Sequence, residues 1–212
     1  MSWLARAFIS SSGAMDAGLA GADAYAWHRA AWQAFPGIDG ERRPFLSRLD
    51  VTDDGFTLYL LCRDHEPRIP PWCPDAAWAV KPIAPTFIRA RTYRFDLRAN
   101  PTRRVVKLGE DGQPTKNGCR KPLDSLGDQI GWLERKASAA GFNVVDVPEV
   151  GVRQDQVFRK HGSRGVHTGV RFQGLLEVTE PDVFKTAFFQ GIGSAKGFGF
   201  GMLLLLLQPI NP

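Results

Sequence analysis

The chain has 212 residues, of which 43% are hydrophobic, and a net charge of +5 at pH 7. This length fits one large domain or two domains of about 100 residues, with enough apolar residues for a packed core. No apolar stretch is long enough to span a bilayer and the N-terminal residues lack the features of a secretory signal, so we expect a cytoplasmic protein. The three cysteines are odd in number and lack Cys-x2-Cys spacing, which indicates neither a disulfide framework nor a metal site.

The first half of the chain predicts a β-α-β-β order that ends in an irregular segment. The strands are indicated by alternating apolar and polar residues, and the hairpin by an Asp-Asp-Gly turn. The helix is delimited by an N-cap at Asp23 and by a Pro-Gly sequence after its end. The elements are a strand over 2–9, a helix over 23–35 and a hairpin over 45–51 and 56–62. The six prolines of residues 64–85 leave room for at most a short helix near residues 75–78.

The second half repeats this order. It predicts, in chain order, a strand over 92–99, a helix over 123–140, a strand over 143–147, a hairpin, a helix over 184–190 and a strand over 202–207. Each half therefore follows roughly β-α-β-β-α-β. We predict the α+β class with two tandem ferredoxin-like (RRM-like) domains, spanning residues 1–88 and 89–212.

Five of the eleven residues from Gly191 to Gly201, here called the glycine loop, are glycine. Because glycine lacks a Cβ atom, successive backbone N–H groups of such a loop can cradle an anion, and Lys196 within it favours a phosphate. The loop follows a helix and precedes a strand, which is the reverse of the order in a P-loop. The alternative is a glycine-rich connection that only lets the sheet edge pack closely.

Two segments concentrate positive charge. Residues 89–121 contain ten basic and three acidic residues, and residues 153–171 contain five basic residues and one acidic residue. The second segment surrounds a turn-like His-Gly-Ser sequence, so a hairpin with charges at its tip could enter an RNA groove. A solvated face is the alternative for either segment alone, but together with the glycine loop they favour a nucleic-acid partner.

The predicted helix over 23–35 carries the candidate chemistry. Tyr25, His28, Arg29 and Trp32 have the spacing i, i+3, i+4 and i+7, so a phenol, an imidazole and a guanidinium converge near one face. The helix N-terminus favours a bound phosphate, and histidine is the side chain here whose ordinary pKa lies near neutrality. The alternative is a half-buried tyrosine and histidine pair with satisfied hydrogen bonds.

Several segments together resemble one protein family. They are Tyr25-Ala-Trp-His28-Arg29, Arg94-Phe-Asp-Leu-Arg-Ala-Asn-Pro101, Gln129-Ile-Gly-Trp-Leu-Glu-Arg-Lys136, and the stretch from Gly174-Leu-Leu-Glu-Val through the glycine loop to Met202-Leu. In this order they resemble the CasE family of CRISPR repeat-processing endoribonucleases, which are subunits of the type I-E Cascade complex. The resemblance spans nearly the whole chain and also implies the tandem ferredoxin-like fold.

The resemblance implies a chemistry for the helix residues. Tyr25 and His28 lie where CasE ribonucleases carry their active-site tyrosine and histidine. The implied reaction needs no metal or cofactor: the 2′-hydroxyl upstream of the scissile phosphate attacks the phosphorus in line and expels the 5′-oxygen, leaving a 2′,3′-cyclic phosphate and a 5′-hydroxyl. His28 would act as base or acid, Tyr25 would orient the 2′-hydroxyl or share a proton, and Arg29 would hold the phosphate.

The resemblance also implies a substrate and partners. The substrate is a stem-loop of CRISPR repeat RNA (pre-crRNA), and the protein keeps the mature crRNA together with the other Cascade subunits. Recognition of an A-form stem rests largely on shape and phosphates. We therefore assign RNA binding to basic and glycine residues of the regions above: Arg98, Arg103, Arg104, Arg159, Lys160, Arg164, Gly191, Gly193, Lys196, Gly197 and Gly199.

Two other functions stay open at this point. A non-catalytic RNA-binding subunit of the same superfamily would need the glycine loop and the basic segments but neither Tyr25 nor His28. A ferredoxin-like module for a small phosphorylated ligand would need only residues 191–201. Its affinity would depend far less on salt than that of a protein that makes several contacts to RNA phosphates.

Overall fold

The computed structural model describes residues 1–38, 43–106, 109, 113, 118–146, 148–160 and 163–208. Its helices are α1 (Ser11–Asp16), α2 (Ala24–Trp32), α3 (Leu126–Ala139) and α4 (Pro181–Gln190). Its strands are β1 (Ser2–Ser10), β2 (Phe45–Thr52), β3 (Gly55–Arg63), β4 (Trp78–Pro82), β5 (Thr92–Ala99), β6 (Thr102–Val105), β7 (Cys119–Pro122), β8 (Phe142–Val144), β9 (Glu149–Val150), β10 (Gln154–Lys160), β11 (Ser163–Val178) and β12 (Leu203–Leu207). Short 3₁₀ turns cover Asp75–Ala77, Phe87–Arg89 and Lys196–Phe198.

The first four strands form an antiparallel sheet in the order β2-β3-β1-β4. Helix α2 packs on one face of this sheet, where Ala31 lies in one buried cluster with Leu58 and Leu60 of β3. A ferredoxin-like repeat carries a second helix before its last strand, and here that helix is reduced to the turn Asp75–Ala77. The prolines of this segment explain the reduction, because each removes a backbone donor that a helix needs.

The second sheet repeats the arrangement. β11 pairs with β8 and with β5, and β5 pairs with β12, so the order β8-β11-β5-β12 matches the order β2-β3-β1-β4 of the first sheet. Trp132 and Leu133 of α3 share a buried core with Phe184 and Phe188 of α4. The predicted α+β class with two tandem ferredoxin-like domains is confirmed, while the boundary after residue 88 stays a prediction.

Several features differ from the predicted elements. The short helix α1 and the two-stranded ribbon of β6 and β7 were not predicted, and β11 runs for 16 residues, past β5 and into a hairpin with β10. The predicted limits of the first two helices are too wide, since α2 ends at Trp32 and α3 begins at Leu126, after the N-cap Ser125. The third is too narrow, since α4 begins at Pro181 and not at residue 184. In the part of the chain that the structure describes, no helix has the length and apolarity needed to cross a membrane.

A buried arginine joins the two sheets. Arg48 of β2 is 1% exposed and donates to Asp50 at 2.8 Å and to both carboxylate oxygens of Asp96 on β5, at 2.9 and 3.1 Å. Arg171 of β11 donates to the same carboxylate. Burial alone would raise the pKa of Asp96, but the hydrogen bonds and charges of Arg171 and Arg48 lower it overall. This network fixes the position of β2 against β5.

Candidate functional site

The first turn of α2 is held by one carboxylate that also holds a neighbouring hairpin. Asp23 Oδ1 accepts hydrogen bonds from the backbone N–H groups of Tyr25 and Ala26, at 3.0 and 2.9 Å, and so caps the helix. Asp23 Oδ2 accepts a further hydrogen bond from the backbone N–H of Arg159 on β10, at 2.8 Å. The β10–β11 hairpin is therefore fixed against the N-terminus of α2.

The structure brings Tyr25 and His28 together, as predicted. Their ring centroids are 6.4 Å apart, and the His28 ring also lies 6.0 Å from that of Phe45 on β2. Trp32 Nε1–H donates to His28 Nε2 at 3.1 Å. Because an indole N–H can only donate, Nε2 is the acceptor, and the proton of the neutral imidazole resides on Nδ1. The sequence placed Trp32 on this face of the helix but gave it no role.

His28 faces the meeting point of four elements. Together with Ser47 of β2, Gln156 of β10, and Phe198 and Gly199 of the glycine loop, it lines a cavity of about 20 Å³, which is room for a single water molecule. Within the described residues, no three His, Cys, Asp or Glu side chains are grouped as metal ligands would be. The candidate site therefore consists of a histidine and a tyrosine between the hairpin and the glycine loop.

Arg29 lies elsewhere. Its exposed side chain lines a separate surface cavity together with Leu19, Gln33 and Trp72. Successive residues of a helix point about 100° apart, so Arg29 turns away from the cavity that His28 lines. The structure does not bring Arg29 to Tyr25 and His28, and its role in holding the phosphate stays a prediction.

The start of the glycine loop is built for close packing. Helix α4 ends at Gln190, and Gly191 adopts a φ of 79°, as a C-terminal glycine does. Gly193 has a φ of 82°, and a Cβ atom there would come within 2.9 Å of the Trp132 ring. Packing against α3 and β2 thus explains these two glycines without a ligand, and their predicted contacts to RNA stay predictions.

The second part of the loop faces β2 and the hairpin. The Phe198 ring lies 4.4 Å from Phe158 of β10, which anchors the hairpin to the loop. A Cβ atom at Gly197 would come within 3.3 Å of the Arg43 guanidinium, and Lys196 lies half-buried beside it. Burial, and then the positive charges of Arg43 and Lys136, lower the pKa of Lys196. Positive charge therefore accumulates around Lys196 and Gly197.

The β10–β11 hairpin presents two arginines side by side. Arg159 and Arg164 occupy directly opposite positions of the ladder, both are exposed, and neither forms an ion pair with any other described residue. Like charges placed opposite each other in a ladder repel, so a bound anion would stabilise this arrangement. The side chain of Lys160 and the residue His161 lie outside the described part of the chain.

The β6–β7 ribbon repeats this pattern of opposite cations. Arg103 pairs in register with Lys121, and Arg104 pairs with Arg120, with all four side chains exposed. Lys107 and Lys116, which the sequence groups with them, fall outside the described residues. The ribbon borders the hairpin, since Arg120 lines one cavity together with Val166 and His167 of β11.

Arg98, by contrast, is used inside the protein. Its guanidinium donates to the backbone oxygen of Leu49 at 2.9 Å and to Gln154 Oε1 at 3.3 Å, and it lies 5.6 Å from the centre of the Phe200 ring. Burial lowers its pKa. Arg98 ties β5 to β2 and to the hairpin, a role that does not depend on the RNA contact predicted for it.

The chain matches the family model described as CRISPR associated protein over residues 2–206. It is 28% identical to the CRISPR system Cascade subunit CasE of Escherichia coli strain K12 over 195 residues, which cover 86% of this chain and 92% of the relative. It is 31% identical to the CRISPR-associated endoribonuclease Cse3 of Thermus thermophilus over 136 residues, or 58% of this chain and 59% of the relative. The crystal structure of the CRISPR-associated protein Cas6e from E. coli strain K-12 has a similar fold, with a TM-score of 0.68 at 27% identity over 96% of this chain and 98% of the other.

Proposed function

Because the chain belongs to the CRISPR associated protein family, we propose that it is a metal-independent endoribonuclease that cleaves CRISPR repeat RNA (pre-crRNA) at a stem-loop. The resemblance to CasE that the sequence carries is confirmed by the match to that relative. The relative's name as a Cascade subunit supports the further proposal that this protein keeps the crRNA within a type I-E Cascade complex, in the cytoplasm. The single observation that carries the proposal is the meeting of His28, the cationic hairpin and the glycine loop at one point.

The proposed reaction is an attack by the 2′-hydroxyl on the adjacent phosphorus, with departure of the 5′-oxygen. His28 moves a proton at its ring, either from the attacking hydroxyl or to the leaving oxygen. Tyr25, beside it in the first turn of α2, orients the 2′-hydroxyl or shares that proton. Trp32 donates to the Nε2 atom of His28 and thereby orients the ring. Arg29, which points away from His28, is proposed to contact an RNA phosphate on the outer side of the helix and not the one that reacts.

The proposed RNA surface extends from this helix to the hairpin, the ribbon and the glycine loop. Arg159 and Arg164 at the hairpin contact the phosphates of the stem, since exposed like charges without an acid partner favour a polyanion. Arg103 and Arg104 of the ribbon, Lys196 with the neighbouring loop glycines, and Lys160 complete the proposed contacts. In this account residues 1–88 carry the catalytic helix, and residues 89–212 carry the hairpin and the glycine loop.

The products of cleavage test the proposed function. We expect the purified protein, in EDTA, to cut a repeat hairpin once and to leave a 2′,3′-cyclic phosphate on the upstream fragment and a 5′-hydroxyl on the downstream fragment, which mass spectrometry distinguishes from other ends. A 3′-hydroxyl with a 5′-phosphate, or cleavage that requires added Mg²⁺, would contradict the proposal. Tight binding without cleavage would favour the non-catalytic RNA-binding subunit.

A further inference from the structure

A basic groove lies beside the candidate site, at the junction of the two halves. Its volume is about 650 Å³, within the range of ligand-binding clefts, and it runs between the ends of β2 and β3 on one side and α4 with the glycine loop on the other. Its polar lining residues include Arg43, Arg63, Asp64, His65 and Lys196. We call this cleft the basic groove.

The cationic side chains of the basic groove form no ion pairs with acidic side chains among the described residues. Within the described residues, no ion pair joins Arg43, Arg63 or Lys196 to an acid, although Asp64 lies in the same lining. Arg43 Nε is buried and has no hydrogen-bond partner among them. Burial lowers the pKa of Arg43, and burial together with neighbouring positive charge lowers that of Lys196. Gathered positive charges repel one another, so a bound anion would stabilise this arrangement.

Aromatic rings orient both arginines toward the cleft. The Arg43 guanidinium lies 5.8 Å from the centre of the Phe45 ring, and that of Arg63 lies 5.1 Å from the centre of the Phe189 ring. Cation–π contacts hold a guanidinium in place while its N–H groups stay available to a phosphate. Positive charge interleaved with aromatic side chains is typical of surfaces that follow a single nucleic-acid strand.

The basic groove begins one side chain away from His28. Phe45 lines the groove, and the same ring lies 6.0 Å from the ring of His28. Lys196 borders the groove, while Phe198, two residues further along the loop, lines the His28 cavity. These shared neighbours place the groove next to His28, so the nucleotides that flank a scissile phosphate at His28 lie within reach of it.

We propose that the basic groove, through Arg43, Arg63 and Lys196, binds the phosphates of the single-stranded nucleotides that flank the cleavage site. This inference rests on the proposed function and extends it from the stem to the flanking strand. A cleft of this volume exceeds the needs of a single phosphate ion and fits consecutive nucleotides.

The test measures binding of RNA that cannot be cut, because the nucleotide before the cleavage site carries a 2′-deoxy sugar. One RNA is the stem-loop alone, and two others add single-stranded nucleotides on the 5′ or the 3′ side. We expect the double variant Arg43→Gln/Arg63→Gln to bind one flanked RNA at least about tenfold more weakly than the wild type does, from the loss of two charged hydrogen bonds. The slope of log K against log salt should fall by about 1.4 for two lost phosphate contacts to a single strand.

The stem-loop alone should bind the double variant and the wild type equally. Arg43→Lys should keep much of the affinity, because it keeps the charge, and Arg68→Gln is the matched control at an exposed arginine outside the groove. The inference would be overturned if the double variant bound all three RNAs equally more weakly than the wild type does, or if it bound both flanked RNAs as tightly as the wild type does. If the wild type bound none of the RNAs, the proposed function itself would fail, so the two failures are distinguishable.

Discussion

His28→Ala is expected to slow cleavage of the repeat hairpin by about 10²–10⁴-fold, the range for loss of a general acid or base. RNA affinity should not change, because the variant alters none of the cations proposed to contact the RNA. The variant removes the proton-transferring group together with its hydrogen bond from Trp32 and its ring contact with Tyr25. Single-turnover cleavage with enzyme in excess measures the chemical step, and fluorescence anisotropy measures affinity.

Three further variants test whether the slower cleavage comes from the loss of the His28 side chain itself. Gln33→Ala changes an exposed residue directly after α2 and should leave the cleavage rate unaltered. Tyr25→Phe removes only a hydroxyl and should slow cleavage less than His28→Ala does, with Tyr59→Phe on β3 as its matched control. Normal cleavage by His28→Ala would remove the histidine from the mechanism, and loss of RNA binding would assign it a structural role instead.

Arg48→Met is expected to lower the free energy of unfolding by about 3–5 kcal/mol, the cost of breaking a buried ion pair from one side. Arg48 is 1% exposed, and its removal leaves Asp50 and the partly buried Asp96 without their shared partner. Urea denaturation followed by circular dichroism measures the change. Arg6→Met, at an exposed arginine of β1 in the same sheet, should change the free energy of unfolding by at most about 0.5 kcal/mol.

The pH dependence of the same measurement provides a check on Arg48→Met. The pKa of Asp96 is lower in the folded protein than in the unfolded chain, so the folded state binds fewer protons at this carboxyl. The contribution of Asp96 to the free energy of unfolding is complete above the unfolded pKa of about 3.9. It is lost as pH falls through the lower pKa of the folded state. The decrease in the free energy of unfolding that Arg48→Met causes should therefore become smaller at acid pH. A loss that stays constant down to the acid limit would contradict this account of the network.

Local patterns in the sequence predict much of the fold, and the failures have a common cause. The strands β1 and β5 follow from alternation, and the start of α2 from the Asp23 cap, because both signals involve neighbouring residues. β11 is longer than any pattern indicates, since it contains Gly165, Gly169 and Gly174, which read as interruptions. At Gly165 and Gly169 an added Cβ atom would collide with the rings of Phe158 and Phe200, contacts that only the folded protein creates.

In the candidate site, too, the sequence predicts contacts between nearby residues but not contacts between distant ones. Tyr25 and His28 are one helical turn apart, so their spacing predicts their contact. Counting charges is less informative, because the sequence does not distinguish a paired arginine from an unpaired one. Arg153 and Arg171 of the second basic segment form ion pairs with acids, whereas Arg43, which no sequence pattern singled out, lines the basic groove.

The central claim is that the RNA's own 2′-hydroxyl is the nucleophile, and one substitution in the RNA tests it most directly. The repeat hairpin and a copy with a single 2′-deoxy sugar immediately upstream of the cut are incubated with the wild-type protein in EDTA. We predict cleavage of the first RNA and none of the second, although both bind equally well. Cleavage of the 2′-deoxy hairpin at the same position would show that another nucleophile is used and would contradict the account.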